Sequence, residues 1–169
     1  MVAPSELGRA EANFRLPWRS THMHLALLLS NAAGSLYLAG LCAFVHRVHY
    51  PLAAQVGPAE FQRYQALHME LTGLAVGPAM LVEVAATIGL VLFRPAGVPL
   101  WMPWIGAALL AIIWATTWFG VVPVHTELAS GADPRLLSEL VSKNLPRTLA
   151  WFARGGLALA MITAAWHAR

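Results

Sequence analysis

Apolar residues in this chain come in long runs rather than at alternating or helical spacing. Four stretches stand out: 25–45, 71–93, 98–124 and 145–166. The first and third contain no charged residue. The second contains only Glu83, and the fourth contains Arg147 near its start and Arg154 further in. About 20 apolar residues cross a bilayer as a helix. A backbone in hydrocarbon must satisfy its own hydrogen bonds, which leaves helices for segments of this kind. The pattern therefore predicts an all-α membrane protein, an antiparallel bundle of four transmembrane helices forming one membrane domain.

Punctuation between the runs agrees. Gly57-Pro58 opens the second helix, and Arg94–Gly97 is a very short loop. Asp133-Pro134 reads as a helix N-cap followed by proline at the first helical position. Leu136, Leu137, Leu140 and Val141 then form one stripe, which predicts a short amphipathic interfacial helix over 133–143, separated from the last span by Pro146. Residues 1–20 have no continuous apolar stretch and read as an N-terminal arm, not a cleaved signal peptide. Small residues recur at four-residue spacing, as in Gly73/Gly77 and Ala107/Ala111/Ala115, and let helices approach closely.

Composition reinforces the class. Hydrophobic residues make up 58% of the 169 and charged residues 11%, with mean hydropathy +0.59. A chain this small cannot bury so much apolar surface in a soluble core. The formal charge is +3, but no run of bases points to nucleic acid. The single Cys42 excludes an internal disulfide. Expected partners are the lipid bilayer, a hydrophobic small molecule, and further copies or a larger membrane complex. Basic residues divide almost evenly between the two faces, so the positive-inside rule gives no firm orientation. The distribution tips toward cytoplasmic termini, with the bacterial inner membrane as the expected location.

With four spans, the polar residues sort by end. His46, His49, Tyr50, Tyr64, His68, His125, Asn144, Arg147 and Thr148 all fall at the end away from the termini. His46 and His49 are three apart and so are expected on one helix side. If the third helix stays regular through Pro123, Trp114, Trp118 and His125 share a face. Imidazoles suit Cu, Fe or Zn, and facing helices of a bundle are a common place for such a site. His46, His49, His68 and His125 are the candidate metal ligands. Tyr64, Trp114 and Trp118 are candidates to hold a flat hydrophobic molecule.

Glu83 lies 12 residues into its span, about 18 Å deep at 1.5 Å per residue. A charge at that depth is costly and marks a candidate functional position. Arg154 sits at comparable depth and can pair with it. Glu83, Arg154, Arg147 and Asn144 are the candidate catalytic groups.

Thr116-Thr117, Pro123-Val124-His125-Thr126-Glu127-Leu128, Asn144-Leu145-Pro146-Arg147-Thr148 and Trp151, with His46-Arg47-Val48-His49-Tyr50-Pro51, carry a family likeness. In these motifs the chain resembles the small four-helix membrane proteins of the anthrone-oxygenase-like group, over about 120 residues. The resemblance implies the four-helix architecture and an oxygenase-like activity on a hydrophobic molecule. His125 stands where aromatic polyketide oxygenases of that group often carry Asn. The residues leave three roles open: a metal-dependent or cofactor-free oxidoreductase, a non-catalytic accessory subunit, and a small transporter or proton conduit.

Overall fold

A computed structural model describes residues 17–168. The expected 1–20 arm falls mostly outside that range, and helix is already present from Pro17. Four helices are long and apolar enough to cross a membrane. Helix α1 spans Pro17–Phe44 and continues through a π-helical turn, Val45–His49, into a last turn, Tyr50–Ala53. Helix α2 spans Pro58–Leu92. Helix α3 spans Trp101–Thr116 and continues through a second π-helical turn, Thr117–Val121, into Val122–Leu128. Helix α4 spans Pro134–His167.

Helix α1 packs on α2 and α4, and α3 packs on α4 and more lightly on α2. The helices thus run around the bundle in chain order, and the α2–α3 seam is the thinnest.

The π turns share one feature, although Pro78 and Pro146 stand inside regular α-helix without producing such a turn. Each ends two residues before a proline, Pro51 or Pro123. Proline has no N–H, and its ring collides with the carbonyl four residues earlier in an α-helix. Widening the preceding turn removes the conflict. The amides of Tyr50 and Val122 bond back five residues, to the carbonyls of Val45 and Thr117. Such insertions recur at functional sites.

Asp133 caps α4 as the sequence predicts. Its Oδ1 accepts from the amides of Arg135 (2.8 Å) and Leu136 (3.4 Å). The structure differs at Pro146, where no break occurs: residues 134–143 are the first turns of one continuous 34-residue helix. At 1.5 Å per residue that is about 51 Å, well beyond a hydrocarbon core of about 30 Å. The amphipathic stripe is used for packing instead. Leu137 and Leu140 are buried with Phe61, Val124 and Leu128 at the end of the bundle.

The core has three apolar layers. The first holds Phe61, Leu128 and Leu140, the middle one Leu38, Ile113 and Trp151, and the third, nearest the termini, Leu28, Leu90 and Met161. Polar groups fill the two levels between them. At the far turn Gly97 has φ of 81°, open to glycine without strain, and a Cβ there would collide with Ala168.

Candidate functional site

The polar level between the first two layers gathers residues from all four helices. His49 Nε2 lies 2.8 Å from His68 Nδ1 and 2.9 Å from the Tyr64 hydroxyl. Thr72, one turn beyond His68, places its hydroxyl 3.1 Å from the same Nδ1. The His49 and His68 rings stack with centroids 4.5 Å apart, and His125 lies 5.1 Å beyond His68.

His125 is held at both nitrogens. The buried Gln65 amide donates to its Nδ1 (3.0 Å) and to its carbonyl (3.1 Å). An amide nitrogen only donates, so Nδ1 is the acceptor and the neutral ring carries its proton on Nε2. Nε2–H then donates to the Tyr50 oxygen at 3.3 Å. This leaves the Tyr50 proton available to another acceptor.

On α4, Asn144 anchors Arg147. Asn144 Oδ1 accepts from Arg147 Nε at 3.1 Å, and its Nδ2 donates to Thr148 (3.2 Å) and to the Cys42 carbonyl (3.5 Å). The Arg147 side chain also interacts with Tyr50 and Cys42.

These groups border a cleft of about 180 Å³. His68, His125, Tyr50, Thr72 and Arg147 supply its polar lining, and Leu41, Val45, Val76 and Val121 part of its apolar lining. Cys42, Val45, Tyr50 and Val121 are buried behind it, while Met69 and Gly73 are exposed at its rim. Its mouth therefore lies at the thin α2–α3 seam, at the start of the second apolar stretch. A second recess of about 180 Å³ lies against α1 and α2, bordered by Phe44, His49, His68 and Leu71. His68 borders both.

Two expectations change here. His46 does not join its neighbours, because the wider turn rotates it away from His49, and its Nδ1 is buried without a partner. Trp114 and Trp118 do not line the cleft, because the second π turn shifts the register between them and His125. They stack on each other (6.4 Å), with Trp118 56% exposed and Trp114 against the middle layer. Among the described residues, no group of three or more His, Cys, Asp or Glu side chains is arranged to hold a metal ion. The closest pair of imidazoles is instead hydrogen-bonded to each other.

Glu83 and Arg154 occupy the second polar level, away from the histidines. His68 and Glu83 are 15 residues apart on α2, about 22 Å along the axis. The two charged side chains pair directly, at 0% and 2% exposure. Glu83 Oε2 also accepts from Asn31 (3.1 Å) and Ser35 (2.9 Å). Arg154 donates to Thr87 (2.9 Å) and to the Gly106 carbonyl. The middle apolar layer separates this network from the histidines, and the third layer separates it from the terminal end.

Sequence reasoning missed Gln65, Asn31, Ser35 and Thr87. Asn31 and Ser35 carried a usable signal: two polar residues at i, i+4 within an otherwise apolar span. Compared with family models, curated proteins and solved structures, the chain matches none.

Proposed function

We propose that this chain is a membrane-embedded enzyme of oxidoreductase or oxygenase type. Its substrate is a hydrophobic small molecule that enters the α2–α3 cleft sideways from the bilayer. The observation that carries this reading is the meeting of a cleft open at the α2–α3 seam with a hydrogen-bonded His–Tyr group at its inner end.

Tyr50 and His68 are the catalytic residues of this reading. Tyr50, whose oxygen already accepts from His125, donates its proton to an oxygen of the bound molecule. His68 takes a proton from it, and the contact through His49 to Tyr64 gives that proton an onward path. Such transfers operate over ordinary hydrogen-bond distances. Gln65 and Asn144 act as positioning residues. A transition metal held by His49, His68 and His125 is part of the same proposal; Cu or Fe would supply redox chemistry there, and Zn only Lewis acidity. The metal would replace the His49–His68 hydrogen bond.

The test is extraction of the full chain, purified in nanodiscs, with mass spectrometry of bound organic molecules and elemental analysis of metal. A Gly73→Leu variant is the control. Gly73 borders the cleft and a Cβ there meets nothing within 4 Å, so a leucine can be introduced at the rim, to obstruct the mouth, without a Cβ clash. A bound hydrophobic molecule absent from Gly73→Leu supports the proposal. Equal recovery from both proteins, or none from either, overturns it.

A further inference from the structure

Arg147 is a cation at the wall of a largely apolar cleft that opens at the α2–α3 seam. Among the described residues the ion pairs are Lys143–Glu139 and Glu83–Arg154, and neither involves Arg147. Its neighbours Asn144, Tyr50 and Cys42 are uncharged. A guanidinium next to apolar surface is costly without an opposite charge, and it offers a planar fork matched to an oxyanion. Asn144 takes the Nε–H and so fixes the orientation of the fork. Asn144 is itself completely buried and tied to α1 through the Cys42 carbonyl. The site thus contains a held positive charge, hydrogen-bonding groups at Tyr50 and His68, and an apolar path out through the α2–α3 seam.

We propose that the cleft takes a single-chain amphiphile with an oxyanion head, a carboxylate or phenolate, with Arg147 as its anchor. This rests on the cleft being a ligand site, as the proposed function requires. The head lies against Arg147 within reach of Tyr50 and His68. The apolar body runs past Val76 and Val121 toward the seam. Passage between two neighbouring helices suits one chain, which distinguishes this ligand from a two-chain phospholipid.

The experiment uses the full chain in phosphatidylcholine nanodiscs at pH 9, where a carboxylate is ionised even at a bilayer surface. Binding of radiolabelled dodecanoate and of dodecanol is compared in the unaltered protein and in Arg147→Gln, Arg147→Lys and Gly73→Leu. The unaltered protein is expected to prefer dodecanoate at least about tenfold, Arg147→Gln to lose the preference, and Arg147→Lys to keep part of it. Gly73→Leu is expected to lose both ligands. Equal affinity for the two probes, or a preference surviving in Arg147→Gln, overturns the anionic ligand while leaving an apolar cleft standing. Binding of neither probe, or binding unaffected by Gly73→Leu, overturns the cleft reading itself. Displacement of dodecanoate by phosphatidylglycerol added to the nanodiscs assigns the anchor to a lipid headgroup and overturns the single-chain ligand.

Discussion

The carboxylate of Glu83 and the guanidinium of Arg154 form an ion pair inside the bundle, enclosed by Asn31, Ser35, Thr87 and the Gly106 carbonyl. Each partner compensates the burial of the other. Removing one leaves an uncompensated charge, at a cost of about 3–5 kcal/mol, whereas replacing both with apolar residues is often close to neutral. Arg154→Met is therefore expected to lower the unfolding temperature sharply. The double variant Glu83→Leu/Arg154→Met is expected to recover most of the loss. Thermal unfolding in one detergent checks both. A double variant as unstable as the single one would show that the surrounding hydrogen bonds, not the charges, dominate. Glu83→Gln is expected to leave dodecanoate binding unchanged, because an apolar layer separates it from the cleft.

Gly34 touches the same network from α1. A Cβ at position 34 would run into the Glu83 carboxylate, whereas one at Gly40 would meet nothing within 4 Å. Overpacking of this kind costs about 1–3 kcal/mol. Gly34→Ala is expected to be destabilised by that amount. Gly40→Ala is expected to be neutral or slightly stabilised through its better helix propensity. Chemical denaturation of the two variants side by side gives the comparison, and equal stability would contradict the close approach of α1 to Glu83.

The donation from Gln65 to His125 Nδ1 fixes a tautomer that nitrogen NMR can read directly. With histidine labelled, His125 is expected as a neutral ring protonated at Nε2. Gln65→Leu removes the donor and leaves Nδ1 buried without one, at a cost of about 1–3 kcal/mol. The expected outcome is a mixed tautomer signal for His125 with the His49 and His68 signals little changed. A single unchanged His125 signal in Gln65→Leu would show that Tyr50, not Gln65, sets the ring.

Much of the fold was legible because charge is so scarce. Four uncharged or nearly uncharged runs give four helices, and two charges deep in different runs had to find each other. Asp133-Pro134 was legible because its capping chemistry is local. The histidine end followed from topology alone, which brings His49, His68 and His125 to one level. What periodicity misread was the detail inside that level. Extending a 3.6-residue repeat through Val45–His49 and Thr117–Val121 put His46 beside His49 and both tryptophans beside His125. The π turns broke both extrapolations. Pro51 and Pro123 were visible in the sequence, but a proline in a span can kink a helix, end it or widen the turn before it. Pro146 neither ends α4 nor widens its turn, and residue type alone does not choose among these outcomes.

Those prolines can be tested as the devices that aim the site. Pro51 and Pro123 are both exposed, so replacing either with Ala removes no buried packing. Ala restores an N–H at the position, and proline inside a helix is disfavoured by about 3 kcal/mol relative to Ala. With Pro123→Ala the preceding turn is free to tighten to α-helical spacing, which rotates His125 away from Gln65 and Tyr50. The variant is expected to unfold at a higher temperature, lose the neutral Nε2–H signature of His125 and bind dodecanoate at least about tenfold more weakly. Such a trade of stability against activity is common where function constrains the sequence away from its most stable choice. Pro146→Ala is the matched control, since α4 is already continuous through that position and carries no π turn. It is expected to gain stability and keep its affinity. If Pro123→Ala keeps both the His125 signature and the affinity, the π turn is held by the packing of Val121 and Val124, and the proline is not what aims the histidine.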